Sequence, residues 1–191
     1  VIEVIKPSEF KVIPWKNGKG ETIELAISAG GTITDFDWRL SIASVDENGA
    51  FSNFSGYFRH LALIKGAGIE LVHNNMTCDS LSALLSIAKF DGSCKTYATL
   101  HAGPISDFNL MTKNHYFDGK LQTFKACKKT SLDSKELVFI YGLSNSTVLV
   151  EKDKKTLCKL PAGHLLKLCG ETGQSLKITG KNIIYATVER L

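Results

Sequence analysis

Apolar residues along the chain fall in runs of four to ten, rich in β-branched and aromatic types and closed by Gly, Asn, Asp or Pro. Runs of that length and composition, punctuated that way, predict strands. They cover residues 22–28, 36–45, 60–64, 69–73, 106–111, 137–141, 147–151, 165–168 and 183–189. Only 80–87, with Leu81, Leu84, Leu85 and Ile87, has a spacing that one or two helical turns would accept, and it is short for a stable helix. The expected class is all-β, almost free of helix.

Where alternation is clean, it sorts side chains by face. In 36–45 the period of two puts Asp37, Arg39, Ser41 and Ala43 on one side and Phe36, Trp38, Leu40 and Ile42 on the other. In 106–111 it groups Asp107, Asn109 and Met111 opposite Phe108 and Leu110. Two readings stay open. If both polar faces point into one barrel, Arg39, Ser41, Asp107 and Asn109 share a hydrogen-bonding interior; otherwise they meet solvent, as one face of an antiparallel sheet commonly does.

A faint internal repeat aligns LALIKGAGIELV (61–72) with LVFIYGLSNSTVLV (137–150). Each copy reads as a hairpin: an apolar strand, a glycine (Gly66, Gly142), a short turn and a second apolar strand. Each is followed by a glycine turn, KFDGSC at 89–94 and LPAGHL at 160–165. Hairpin, return strand and Pro/Gly turn form half of a cupin jelly roll, so a duplicated barrel is the economical architecture. The expected domains are an N-terminal barrel over 1–115 and a C-terminal barrel over 116–191, with terminal strands able to exchange between them. The join is expected between Thr112 and Leu137, in the polar, turn-rich KNHYFDGK and KKTSLDSKE.

Composition narrows the function classes. At 191 residues and 43% hydrophobic content the chain can bury an ordinary core. Its opening, VIEVIKPSEF, is interrupted by Glu3, Lys6 and Glu9, so neither a secretory nor a mitochondrial-type leader is expected. The longest apolar runs are far short of the roughly 20 residues of a membrane helix, so no membrane partner is expected. The net charge of +4 comes from scattered lysines. The densest group, Lys152, Lys154 and Lys155, is broken by Asp153 and preceded by Glu151, a pattern of a solvated hairpin tip and no signature of nucleic-acid binding. The five cysteines include no CxxC pair, which fits reduced thiols in a cytoplasmic protein.

Several chemistries lack their parts. Gly18 and Gly20 crowd WKNGKGET (15–22), but the phosphate-loop order is absent and a strand follows where a helix N-terminus is needed. There is no G-x-S-x-G elbow. The histidines, His60, His73, His101, His115 and His164, are dispersed without an H-x-H pair. PAGH at 161–164 has the skeleton of a cupin's second motif, but 137–151 lacks its histidine partners. Neither a metal nor another cofactor is expected, because cupin metal chemistry needs three or four clustered N and O ligands.

Three ordered blocks carry a resemblance: W-x-N-x-x-G-x-T at Trp15, Asn17, Gly20 and Thr22; F-x-W-R-x-S-I-A-x-V-x-x-x-G-x-F-S-x-F-x-G-x-x-R from Phe36 to Arg59; and D-F-N-x-M-T from Asp107 to Thr112. Together they resemble the HutD/Ves family, strongly over 15–112 and beyond that by length and strand pattern. The resemblance implies a bicupin-like fold, two jelly-roll barrels in one chain, with a ligand pocket in the N-terminal barrel drawn from the motif positions. It also implies a role as sensor or modulator for a small polar or anionic metabolite, with a link to histidine catabolism.

The residues expected at that pocket are Trp15, Asn17, Thr22, Trp38, Arg39, Ser41, Phe54, Arg59, Asp107 and Asn109. Trp15, Trp38 and Phe54 would be walls, although Trp38 shares its face with Leu40 and Ile42 and suits the core as well. Arg39 and Arg59 would grip a carboxylate through their forked donors, with Arg59, at the start of an apolar strand, near the mouth. Two alternatives remain. One is a metal-free enzyme with Asp107 as acid or base. The other is a protein-interaction module or homodimer formed through the apolar strand 183–189 as an exposed edge. A lumen closed by bulky side chains favours interaction; an open polar lumen favours binding.

Overall fold

The computed structural model describes residues 1–15, 20–133, 135–143, 147–152, 154–170 and 175–191. Apart from a single 3₁₀ turn at Pro7–Glu9, the elements among these residues are strands. In chain order they are β1 (Ile2–Ile5), β2 (Lys11–Pro14), β3 (Gly20–Ile27), β4 (Trp38–Val45), β5 (Gly49–Ala50), β6 (Tyr57–Lys65), β7 (Ile69–His73), β8 (Thr77–Leu81), β9 (Ile87–Asp91), β10 (Thr96–Leu100), β11 (Ile105–Lys113), β12 (Phe117–Asp133), β13 (Leu137–Gly142), β14 (Val148–Lys152), β15 (Lys155–Leu160), β16 (Leu165–Cys169) and β17 (Ser175–Arg190). The all-β, jelly-roll expectation holds. Residues 80–87 are not helical: β8 ends at Leu81, β9 starts at Ile87, and Leu85 between them has a φ of 70°. No described helix is long and apolar enough to cross a membrane.

The chain divides into two compact units, Lys11–Phe117 and Val1–Phe10 with Asp118–Leu191. Unit Lys11–Phe117 has two antiparallel sheets, ordered β2-β3-β4-β11-β6-β9 and β5-β10-β7-β8. Its core draws on both: Leu61, Leu63, Phe90 and Ile105 from the first pack with Ile69, Leu71, Leu81 and Ala98 from the second. Burying such side chains from two sheets against each other is what holds the unit together, at roughly 1.5–3 kcal/mol per large aliphatic group.

The hairpin expected at 61–72 is corrected by this topology. Strands β6 and β7 lie in different sheets, and the chain crosses between them at Gly66. Gly66 has a φ of +96°, and a Cβ there would stand 2.7 Å from the Pro104 carbonyl, so glycine serves a crossover and not a tight hairpin. The second copy fails for another reason: β13 and β14 share a sheet but β17 runs between them.

In unit Val1–Phe10 with Asp118–Leu191, the sheet is ordered β1-β16-β13-β17-β14-β15, with β12 also on β17. Val138, Ile140, Val150, Leu166, Ile178 and Ile183 are among its fully buried core residues. Strand 183–189 is therefore not the exposed edge expected of it. Ile183 to Val188 pair with β13, residues 176–179 pair with β14, and Ile183, Ile184, Tyr185 and Val188 are buried. The strand also pairs with β12, and Ile183 and Tyr185 belong to the core of the unit.

Candidate functional site

Three adjacent strands of unit Lys11–Phe117 build one polar surface. Antiparallel register sets Met111 opposite Arg39, Asn109 opposite Ser41 and Asp107 opposite Ala43 across β11 and β4, and Met111 opposite Arg59 across β11 and β6. Directly paired residues in a sheet point to the same face, so the polar sets of β4 and β11 and the guanidinium of β6 converge. They form one side of a cavity of about 470 Å³, within the range of small-molecule sites. Its other walls are mostly apolar: Ile13, Pro14, Trp15, Ile33, Phe51 and Phe54. Trp15 is held by its indole N–H, which donates to the Thr22 hydroxyl at 2.8 Å, and by its backbone N–H, which donates to the Gly20 carbonyl at 3.0 Å.

Phe54 is fixed from behind by Gly92. The Phe54 N–H donates to the Gly92 carbonyl and the Gly92 N–H to the Tyr57 carbonyl, both at 2.8 Å. A Cβ on Gly92 would lie 2.4 Å from the Phe54 carbonyl oxygen, so the segment bearing Phe54 approaches this closely only over glycine.

The two arginines are held differently. Arg39 donates through Nε to Glu24 at 2.7 Å, an ion pair with both side chains largely removed from solvent, and its Nη2 has no partner. Arg59 is 5% exposed and sits among Phe51, Phe54 and Phe90, whose ring centroids lie 5.4, 5.4 and 5.1 Å from its Cζ. Those ring faces offset part of the cost of burying a cation. Its Nη2 donates to Asn109 Oδ1 at 3.0 Å and its Nη1 makes a long contact of 3.4 Å to the Ser52 carbonyl, while Nε has no partner. Burial pulls the Arg59 guanidinium down to about 10, with Asp107 opposing and Arg39 adding to the fall, so the group stays charged at neutral pH.

Asp107 is completely buried. Its Oδ1 accepts a short hydrogen bond from Asn109 Nδ2, and its Oδ2 has no partner. Burial pushes this carboxyl up to about 7, against the opposing pull of Arg59 and the Asn109 hydrogen bond. Buried polar atoms are nearly always satisfied, so three atoms without a partner among the described residues, Arg39 Nη2, Arg59 Nε and Asp107 Oδ2, all on residues that line one cavity, call for a ligand or water.

Of the residues indicated by sequence, Trp15, Thr22, Arg39, Ser41, Phe54, Arg59, Asp107 and Asn109 all line this cavity. Asn17 lies outside the described residues. Trp38 needs correction: one residue before Arg39 on β4, it projects from the opposite face, where it is buried. Arg59 also stands elsewhere than expected, inside β6 and buried, not at a mouth. Sequence reasoning missed Glu24, the partner of Arg39, and Phe51. Glu24 was within reach of the period-two rule, because it stands two residues along the strand from Thr22. Among the described residues, no group of three or more His, Cys, Asp or Glu is placed to hold a metal ion. His73 is used structurally: its Nδ1 meets the buried Thr96 hydroxyl at 2.8 Å and its Nε2 meets Asp79 at 3.2 Å, joining β7 to β10 and β8.

Comparison with known proteins agrees with this architecture. The family model described as HutD matches residues 7–186. An uncharacterised 21.2 kDa protein in the hutC 3′ region of Pseudomonas putida is 31% identical over 190 residues, covering 99% of this chain and 98% of that one. The structure of HutD from Pseudomonas fluorescens SBW25, from a formate condition, is 28% identical with a TM-score of 0.84, covering 100% of each chain. A bacterial pirin from Escherichia coli, in complex with nickel(II), is 8% identical with a TM-score of 0.64 over 97% of this chain and 98% of that one, a likeness of fold alone.

Proposed function

We propose that this chain, which belongs to the HutD family, binds a small organic anion in the cavity of unit Lys11–Phe117, without a metal, as a sensor or modulator. The observation that carries the reading is the pair of buried arginines, Arg39 and Arg59, that line one mostly apolar cavity and each keep a guanidinium nitrogen without a partner among the described residues. Charge-assisted donors in a water-poor pocket are suited to a carboxylate. Ser41, Thr22 and Asn109 supply orientation, and Trp15, Phe51 and Phe54 supply contact area. An open cavity with one polar wall supports binding over a purely protein-interaction role. The names of the relatives, in the hutC 3′ region and HutD, support a ligand drawn from histidine breakdown.

The test is a thermal-shift screen of chelator-dialysed protein against small carboxylates, with urocanate and N-formylglutamate among them. A ligand selective for the folded state raises the midpoint by mass action. Saturable shifts by carboxylates, absent with matched neutral amides and unaffected by added metal, are expected. A panel with no such shift removes the reading.

A second reading, a metal-free enzyme, is favoured by one observation: Asp107 stands at the cavity with its carboxyl raised to about 7, where a general acid or base works best near neutral pH. Its test is consumption of any carboxylate that binds, followed by NMR in wild type and Asp107→Asn. Turnover lost in the variant supports it, and an unchanged substrate spectrum in wild type removes it.

A further inference from the structure

We infer that the cavity takes up its anion together with one proton, held by Asp107 in a hydrogen bond to the bound carboxylate; this rests on the anion-binding reading above. The geometry begins with a relay. Arg59 Nη2 donates to Asn109 Oδ1, and Asn109 Nδ2 donates to Asp107 Oδ1. The amide is thereby oriented, and it links Arg59 to Asp107. The two ends left without a partner among the described residues are Arg59 Nε and Asp107 Oδ2, both buried and on residues that line the same cavity.

A carboxylate bound in the cavity at Arg39 or Arg59 shares that cavity with Asp107, which also lines it. Two carboxylate oxygens facing each other repel when both are bare. With one proton between them they form a short, strong hydrogen bond. Charge count points the same way. Among the described residues, the ionisable groups on this wall are Arg59 from β6, Arg39 from β4, Glu24 from β3 acting on Arg39, and Asp107 from β11. With every group ionised they sum to zero, so a bound monoanion would leave an uncompensated negative charge among mostly apolar walls. Adding a proton costs less than burying that charge. Asp107 is the group prepared to take it, since burial has already raised its carboxyl to about 7 and a neighbouring anion pushes it further.

The experiment uses acetate and succinate, which stay ionised across the neutral and alkaline range, on the full chain. Binding is followed by tryptophan emission and calorimetry. The acetate dissociation constant is expected to rise by up to about tenfold per pH unit above about pH 7 and to level off below it. At about pH 8 the calorimetric enthalpy is expected to differ between phosphate and Tris by close to one buffer ionisation enthalpy. Asp107→Asn, a neutral isostere of the protonated acid, is expected to bind acetate with an affinity independent of pH.

Acetate binding whose affinity is flat from about pH 6.5 to about pH 9, with equal enthalpies in the two buffers, overturns the proton uptake and leaves anion binding standing. A flat profile with a strong preference for N-acetylglycine over acetate does the same, and identifies Asp107 as an ionised acceptor reading a donor on the ligand. No binding of acetate or succinate at any pH overturns the proton uptake, and the anion-binding reading falls with it only when the wider carboxylate panel also gives no thermal shift. If Asp107→Asn fails to fold, the two-buffer comparison on wild-type protein decides alone.

Discussion

Arg59 and Asn109 are joined by a hydrogen bond of 3.0 Å, from Nη2 of the one to Oδ1 of the other, across the pair of strands β6 and β11. Their backbones are not opposite each other: Arg59 is in register with Met111 and Asn109 with Leu61. The bond is a diagonal one, long enough only for an extended side chain such as arginine, and it turns the guanidinium towards the cavity while three phenylalanine rings hold it.

Arg59→Ala should accordingly do two things. It should weaken carboxylate binding by about 1.5–3 kcal/mol, the scale of a hydrogen bond to a charged group. It should also lower the stability of the empty protein by about 2–4 kcal/mol, because the aromatic enclosure is left hollow and Asn109 Oδ1 loses its donor. Arg59→Lys should restore part of the affinity, lacking the planar fork. Denaturant melts without ligand and calorimetry with succinate separate the two effects; full affinity in a folded Arg59→Ala protein would take Arg59 out of the site.

The raised carboxyl of Asp107 predicts a pH dependence of stability with a definite sign. Between the unfolded value of about 4 and the folded value of about 7, the folded chain keeps a proton that the unfolded chain has lost. Stability therefore falls as pH rises through that window and is flat for this group above it. Asp107→Asn removes the effect. From about pH 5 to about pH 8 it should gain on wild type by roughly 2–3 kcal/mol. Urea titrations of both proteins at the two pH values check this, and parallel profiles would show that Asp107 is ionised in the folded state throughout.

Period-two alternation grouped Arg39 with Ser41 and Asp107 with Asn109 by parity within each strand, but left open whether those faces meet a lumen or solvent; the pairing of β4 with β11 brings them to one cavity. It also carried the warning on Trp38, which parity placed beside Leu40 and Ile42. What alternation cannot supply is register and sheet membership. The Arg39–Glu24 pair depends on how β3 slides past β4, including a bulge between Glu24 and Ala26. The rings around Arg59 come from two segments far apart in sequence, the loop after β5 that carries Phe51 and Phe54, and β9 with Phe90. Gly66 has the same local look whether it closes a hairpin or carries the chain to another sheet, and the apolar residues at 183–188 read alike for a central strand and a sticky edge. Those distinctions are settled by contacts far apart in sequence.

Trp15 lines the cavity while Trp38 is buried on the opposite face of β4, so the two tryptophans should report differently. Succinate should change the emission of Trp38→Phe, in which Trp15 remains, and leave that of Trp15→Phe nearly unchanged. Trp15→Phe also forfeits the bond to Thr22 and should be less stable by about 1 kcal/mol. A succinate response carried by Trp38 would place the ligand elsewhere.

Ala43 offers a way to close the cavity without touching a polar group. It lies on β4 opposite Asp107 on one side and Thr22 on the other, with its methyl on the cavity wall. Ala43→Leu adds three carbons to a space of about 470 Å³, which is ample for the new side chain. Overpacking normally costs about 1–3 kcal/mol because a dense core has no slack. Here the slack exists and the added group covers apolar wall, so stability should change by less than about 1 kcal/mol in either direction. The space used is the space a carboxylate needs beside Arg39 and Arg59, so succinate affinity should fall by about tenfold or more, roughly 1.4 kcal/mol. Acetate, being smaller, should lose less. Melting curves and calorimetry on the same preparation make the comparison. If Ala43→Leu melts as wild type and binds succinate as wild type, the anion does not occupy this cavity, and the orphaned atoms of Arg39, Arg59 and Asp107 are satisfied by water alone.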